Sequence, residues 1–262
     1  MLNIKLIFIS SKSFVVGLWL MLFSCQLFSG NPIIEKAKTD FKKVNANYIT
    51  TPTFSMAMNY AVFDNHVNGN LVESKTGIYV KDGLRLYTRL LEIETIVTEK
   101  NTIVVNHEDN FLVITDTKKI ELSPIQTNID TLLKICSEVK LIELGKNERI
   151  YKLIYSVDDE FSEFSQIDLQ INIVDYTIKK ITLYYNQSTQ MDNINFYAEE
   201  KKPRVEITYN PLKKITTLSE SMQQLFKESS YLTPSGNTFK PVAKFFKYEF
   251  INQLTSYRLK KK

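Results

Sequence analysis

The sequence predicts an α+β protein, mainly antiparallel β, that opens with one amphipathic helix and is made for export. Three observations predict this. A short apolar leader precedes residue 31, apolar and polar residues alternate along residues 54–62 and 166–173, and turn-forming residues separate such segments at short intervals. Short strands with this spacing are typical of an antiparallel meander.

Residues 1–30 have the layout of a secretory signal. Lys5 and Lys12 precede an apolar run at residues 14–23, and small and polar residues follow it. The apolar run is too short for a transmembrane anchor, because a spanning helix needs about 20 apolar residues. We therefore expect a signal peptide at 1–30 and one exported, periplasmic domain at 31–262, in which 211–262 form a C-terminal extension.

Two ways of cleaving this leader stay open. Residues 22–25, Leu-Phe-Ser-Cys, resemble a bacterial lipobox, in which Cys25 is lipidated and anchors the protein to a membrane. A cut after Ser29 or Gly30 releases a soluble protein instead. In either case Cys136 is the one thiol of the folded part, so the fold must be held by packing without an internal disulfide.

The composition excludes some classes of protein. A hydrophobic content of 44% excludes wholesale disorder. The formal net charge is +4, but the basic residues are dispersed and form no stripe interleaved with aromatic residues, so no nucleic-acid partner is expected.

The helix is predicted at the start of the mature chain. Asn31 suits an N-cap and Pro32 the first helical position, and the helix should end near Asn47. A second helix is expected after Thr127 or Asn128. Its apolar positions are Ile129, Leu132, Leu133, Cys136 and Val139, and those of the first helix are Ile33, Ala37, Phe41 and Val44.

The remaining elements are strands and turns. Asp82-Gly83 predicts a two-residue hairpin, and Pro211 is expected to end the sheet. A short helix is expected at 219–228, a loop at 233–241 and an edge strand within 245–254. Besides 54–62, strands are predicted at 71–80, 84–91, 92–98, 102–105, 111–115, 118–122, 149–157, 164–174 and 177–185, and a last one begins at Asn195 or Arg204 and ends at Tyr209.

No catalytic motif is found. The chain has no nucleophile elbow, no phosphate-binding glycine loop and no zinc motif, and His66 and His107 are its only histidines. We therefore expect no enzyme activity, no catalytic residue, no metal and no cofactor. The acidic runs at 158–160 and 199–200 leave a hydrolase with an unfamiliar site as a third hypothesis.

The local sequence resembles the periplasmic lipoprotein-carrier family of LolA, LolB and RseB. The resemblance lies in residues 77–81, Gly-Ile-Tyr-Val-Lys, residues 84–87, Leu-Arg-Leu-Tyr, and residues 101–105, Asn-Thr-Ile-Val-Val, after an amphipathic helix and a Phe-containing strand. Asp82-Gly83 stands where the family has an Arg-Pro turn, so Arg85 is the nearest candidate for the family's gating arginine.

The resemblance implies a strongly curved, incomplete β-barrel whose concave face is lidded by helices and encloses an apolar cavity. It implies a monomeric carrier of a lipid or lipidated protein, with a membrane protein as delivery partner and Arg85 holding the lid. A lipid-sensing or structural envelope module on the same scaffold is the alternative, and a solid core under the helices is the alternative to a cavity. The expected cargo-lining residues are Phe54, Met56, Met58, Tyr60, Ile78 and Val80.

Overall fold

The structure, a computed structural model, describes residues 31–117, 129–156, 163–186, 201–236 and 238–254. Helix α1 (Pro32–Thr50) opens this part of the chain. The Asn31 side chain caps it by accepting a hydrogen bond of 2.9 Å from the Ile33 amide, as the sequence predicts. The helix ends three residues later than expected and buries one face, formed by Ile34, Ala37, Asp40, Phe41, Val44 and Tyr48.

The strands of the described chain form one large sheet and a separate hairpin. They are β1 (Thr53–Phe63), β2 (Leu71–Asp82), β3 (Arg85–Leu90), β4 (Ile93–Val97), β5 (Asn101–Asn106), β6 (Phe111–Asp116), β7 (Glu138–Leu144), β8 (Glu148–Ile154), β9 (Phe164–Asn172), β10 (Thr177–Tyr185), β11 (Arg204–Tyr209), β12 (Lys213–Lys214), β13 (Leu232–Ser235), β14 (Thr238–Pro241) and β15 (Glu249–Asn252).

The sheet has 13 strands in the order β15-β6-β5-β4-β3-β2-β1-β11-β10-β9-β8-β7, with β12 beside β1. Its two end strands, β15 and β7, do not pair with each other, so the barrel is incomplete. All pairs are antiparallel except β15 with β6. The prediction of a mainly β, incomplete antiparallel barrel with helices is confirmed.

The strand register defines two faces of this sheet, because directly opposite residues point to the same side. Met56 lies opposite Tyr79 and both point toward α1, so we call this side the helix face. Val80 lies opposite Tyr87 and both point the other way. We call that side the tail face, because residues 211–254, the C-terminal segment, pack on it.

The first core lies between the helix face and two helices, α1 and α2 (Ile129–Ile135). These helices cover the half of the sheet that is formed by β1 and by β7, β8, β9, β10 and β11. Phe41 of α1 packs its ring 5.4 Å from that of Tyr151 on β8. The other buried members from this half include Met58, Val139, Leu153, Ile167, Leu169, Ile171, Ile178 and Tyr209.

The second core lies on the tail face of β2 to β6. Its sheet residues are almost fully buried by the C-terminal segment, which contains the short helix α3 (Glu220–Leu225) and two 3-10 turns. The sheet contributes Val80, Tyr87, Ile96, Ile103, Val105, Leu112 and Ile114, and the segment contributes Leu218, Phe226, Tyr231, Leu232, Phe245 and Leu254.

Two expectations about the C-terminal segment are wrong. The sheet does not end at Pro211, since β12 pairs with β1 and β15 pairs with β6 beyond it. The predicted loop 233–241 is the hairpin β13–β14, because Gly236 takes a positive φ of 60° at its turn. A two-stranded hairpin tolerates Pro234 and Pro241, since its outer amides need no partner strand.

The second helix is shorter than predicted. It ends at Ile135. Val139 was expected on its apolar face, but this residue belongs to β7, a strand that the sequence analysis did not predict. The Ser137 amide donates to the Ile154 carbonyl and starts the pairing of β7 with β8.

The hairpin after β2 is centred on Gly83 and Leu84, one residue later than expected. The leader with Cys25, the strand at 118–122, the cap at 127–128, Asn195 and the two acidic runs lie outside the described residues.

Candidate functional site

Three of the predicted cargo-lining residues lie in the first core. Phe54, Met56 and Met58 point to the helix face and are at most 5% exposed. The Phe54 ring stacks on Tyr79 with centroids 5.6 Å apart and contacts Tyr48, at the end of α1, at 5.7 Å. These side chains therefore pack as core under the helix, and their role in cargo binding stays a prediction.

The other three are divided between the two faces of the sheet. Tyr60 points to the helix face and is half-buried. Ile78 and Val80 point to the tail face, because Ile78 lies opposite Ala57 and Val80 lies opposite Ser55. Val80 is fully buried in the second core, and Ile78 packs against that core. The structure thus brings four of the six residues to one face and two to the other.

Lys81 holds the end of α1 on the sheet. It is 1% exposed, and its Nζ donates hydrogen bonds to the carbonyls of Tyr48 at 3.0 Å, Ile49 at 2.8 Å and Thr51 at 2.5 Å. Burial lowers the pKa of Lys81. Three donors match three carbonyls that the helix end leaves unpaired, and a cation is favoured there by the helix dipole.

A second polar anchor lies nearer the start of α1. The Asp40 carboxylate is 3% exposed and accepts hydrogen bonds from the Arg149 guanidinium at 2.7 Å and the Tyr151 hydroxyl at 2.6 Å. Burial raises the pKa of Tyr151, so it stays a donor. The two anchors fix α1 over one half of the helix face.

The described part of the chain leaves the other half of the helix face open. On β3 to β6, most of the tail-face residues are buried, whereas most of the helix-face residues are only half-buried. The cluster under the helices takes in Leu90 and Val97 at its margin. We define the open strip as Thr88, Leu90, Ile93, Thr95, Val97, Thr102, Val104, Val113 and Thr115, which lie side by side through the pairings of β3 with β4, β4 with β5 and β5 with β6.

The chemistry of the open strip is aliphatic. It carries branched apolar side chains and threonines and no ionisable group, so it can hold a hydrocarbon. Within residues 31–254, where the structure describes them, no three His, Cys, Asp or Glu side chains gather as a metal site. None of the described helices is long and apolar enough to span a membrane.

The predicted gating residue Arg85 contacts the C-terminal segment. It pairs with Asp82, and its guanidinium lies 4.9 Å from the ring centre of Phe226. The side chain that contacts a helix is Lys81 instead, which the sequence analysis left without a role. Its signal was a lysine directly opposite Phe54 in an apolar strand pair. Gating by Arg85 stays a prediction.

Cys136 is a buried residue, as expected, and burial raises its pKa to about 11. We expect the folded protein to resist alkylation by iodoacetamide at pH 8, because a buried thiol is neither accessible nor ionised there. Unfolding in urea should make the thiol react at the rate of a free cysteine. Mass spectrometry of time points with and without urea measures this, and rapid labelling of the folded protein would contradict it.

Comparison with known proteins gives structural neighbours alone, since no family model and no curated protein matches the chain. The chain is similar to an uncharacterized conserved protein from Thermus thermophilus, with 13% identity, a TM-score of 0.42 and coverage of 83% of this chain and 99% of that chain. It is also similar to a putative outer membrane lipoprotein-sorting protein domain from Vibrio parahaemolyticus, with 9% identity, a TM-score of 0.35 and coverage of 74% and 100%.

A third neighbour is a LolA superfamily protein from Nitrosomonas europaea, with 10% identity, a TM-score of 0.28 and coverage of 71% of this chain and 96% of that chain. This similarity includes LolA-like proteins, the group that the local sequence resembles. At identities of 9–13% and TM-scores of 0.28–0.42, it assigns no cargo, activity or residue role to this chain.

Proposed function

We propose that the protein is a non-enzymatic, exported carrier that binds an acyl chain of a lipid or lipidated protein on the open strip. The observation that supports this is the contrast between the two faces of β3 to β6. The tail face of these strands is covered by the protein's own C-terminal segment, while their helix face presents a continuous aliphatic surface beside the fixed end of α1.

The free energy expected for binding an acyl chain suits a reversible carrier. Burying a methylene group contributes about 0.8 kcal/mol, so a chain lying on the strip with roughly half of each methylene covered gains about 0.4 kcal/mol per carbon. An acyl chain then binds through length and shape alone. We place the binding surface on the half of the helix face next to Phe54, Met56 and Met58, because α1 covers those three residues.

We expect Val104→Asp to weaken uptake of a fluorescent fatty acid at least about tenfold, because a carboxylate in the middle of the strip disfavours hydrocarbon. Ile150→Asp is the matched control, since Ile150 is also half-buried and lies mid-strand on the opposite face of β8. Fluorescence titration of the two variants and the wild type measures the difference.

Both variants must melt cooperatively within a few degrees of the wild type for the comparison to hold. Equal uptake by the wild type and Val104→Asp would contradict the proposed site. Mass spectrometry of protein purified from an expressing cell envelope provides an independent readout. A lipid that copurifies with the wild type and with Ile150→Asp, but not with Val104→Asp, is the expected result.

A further inference from the structure

A groove of about 630 Å³ lies between strand β2 and the turn that joins β3 to β4. It exists because only residues 78–82 of β2 pair with β3, whereas residues 71–77 have no partner there. Leu91, with a positive φ of 57°, turns the chain away from β2 at this point. Sites for small ligands have volumes of about 300–1,000 Å³, so the groove has the size of such a site.

The groove lies directly beside the open strip. Its lining residues Leu91 and Glu92 form the turn between β3 and β4. The two strip residues that flank this turn, Leu90 and Ile93, lie opposite each other. Gly77 also lines the groove, and a Cβ there would lie 2.9 Å from Leu90 Cδ1, so the leucine packs against this glycine. A molecule whose acyl chain lies on the strip with its polar end toward β2 therefore places that end in the groove.

The groove carries charges of both signs. Lys75 lies between two carboxylates, with its Nζ 3.3 Å from Glu73 and 3.6 Å from Glu92. Arg89 also lines the groove, and its guanidinium lies 3.6 Å from the Glu94 carboxylate. A tight charge-assisted hydrogen bond measures about 2.7–2.9 Å, so these ion pairs are loose. Because Lys75 is 41% exposed and Arg89 is 50% exposed, each cation can donate to a further partner.

Two backbone amides add neutral donors. The Gly83 amide donates to the Pro52 carbonyl, on the side of β1. Because backbone groups alternate in direction along a strand, those of Ser74 and Thr76 point the other way, into the groove. Neither residue has a neighbouring strand on this side within the described chain, so both amides can donate to an anionic oxygen.

We propose that the groove binds the headgroup of a phosphoethanolamine lipid, a zwitterionic phospholipid with a primary ammonium, whose acyl chain lies on the open strip. This inference rests on the proposed function and names the class of lipid that the same site accepts. The phosphate accepts hydrogen bonds from the Lys75 ammonium and the Thr76 amide, and the lipid's ammonium donates to the Glu92 carboxylate.

The balance of charge selects this class of headgroup. A headgroup with a net negative charge is attracted by Lys75 but repelled by Glu73 and Glu92. A zwitterion avoids this repulsion, because its ammonium pairs with a carboxylate while its phosphate pairs with the lysine. A choline headgroup fits less well, since its quaternary nitrogen has no N–H to donate. No aromatic ring is among the residues that line the groove in the described chain, so a cation–π contact does not replace that hydrogen bond.

Single-chain phospholipids that share one acyl chain test this inference, because they differ only in the headgroup. Displacement of a fluorescent fatty acid measures their affinities, and a monoacylglycerol with the same chain is the uncharged reference. We expect the ethanolamine lipid to bind about fivefold more tightly than the glycerol phospholipid, with the choline lipid between them. Glycerophosphoethanolamine, which has no acyl chain, should show no binding by calorimetry at the concentrations at which the ethanolamine lipid binds.

Lys75→Gln and Glu92→Gln test the two contacts separately. Lys75→Gln should weaken binding of the ethanolamine lipid about fivefold. Glu92→Gln should bring the ethanolamine and glycerol phospholipids to nearly equal affinity, because the ammonium loses its partner. Lys140→Gln is the matched control, since Lys140 pairs with Glu138 on β7 as Lys75 pairs with Glu73 on β2. All three variants should bind the monoacylglycerol like the wild type, and circular dichroism checks that they are folded.

Equal affinity of the wild type for the ethanolamine and glycerol phospholipids overturns the headgroup site. So does a preference that survives both Lys75→Gln and Glu92→Gln, or binding of glycerophosphoethanolamine as tight as that of the lipid. These results leave the proposed function intact as long as the monoacylglycerol binds the wild type and binds Val104→Asp more weakly. If the wild type binds none of these lipids, the proposed function and the headgroup site both fail.

Discussion

Replacing Ile103 by aspartate is expected to lower the free energy of unfolding by about 4 kcal/mol or more, because a buried carboxylate without a partner replaces a fully buried side chain. Ile103 is 0% exposed and lies in the middle of β5 on the tail face. The C-terminal segment packs against it, so the charge cannot reach water without displacing that segment.

Urea denaturation followed by circular dichroism measures this loss. The adjacent variant Val104→Asp is the control, because its side chain points to the open strip and reaches water. It is expected to lose only about 1 kcal/mol, from the lower strand propensity of aspartate. If both variants were equally unstable, the half-burial of the strip would not describe the protein in solution.

Lys81→Met is expected to cost about 3 kcal/mol of unfolding free energy. Methionine has a similar length, but its side chain leaves the carbonyls of Tyr48, Ile49 and Thr51 without donors, and an unsatisfied buried acceptor costs about 1–3 kcal/mol. The end of α1 should also loosen, and hydrogen exchange of the last turn should become faster.

Lys180→Met is the matched control, since that lysine is 36% exposed and makes a surface ion pair of 3.5 Å with Glu206. Its loss should cost less than about 1 kcal/mol. Thermal and urea unfolding of the two variants give the comparison. A cost for Lys81→Met as small as that for Lys180→Met would show that the three carbonyls find other donors.

Much of the fold follows from local patterns. The Asn31-Pro32 start of α1 and the alternation along 54–62 and 166–173 correspond to a helix and strands of the structure, because one face of each is buried and the other is not. The second half of the chain was less predictable. Strand β7 (Glu138–Leu144) was not predicted, because Val139 also fits the helical spacing of the residues before it.

The site was harder to predict than the fold. Strand periodicity shows that Ile78 and Val80 share a face, but the side of the sheet depends on the register with β1, which is a tertiary property. Residues 103–105, Ile-Val-Val, form an apolar run in the sequence. In the structure Ile103 and Val105 are buried on one face, whereas Val104 is half-buried on the other. Only packing of the C-terminal segment decides which side is closed, and the apolar residues of that segment have no regular spacing.

The parallel pairing of β15 with β6 has a kinetic consequence. These strands are far apart in the sequence, as are β1 and β11, so their contacts close very long loops. Such a topology folds slowly, since the entropy of loop closure is lost before the distant contacts form. Until the C-terminal segment packs on the tail face, the apolar surface around Ile103 and Ile114 stays exposed, and a newly synthesised chain can aggregate through it during that interval.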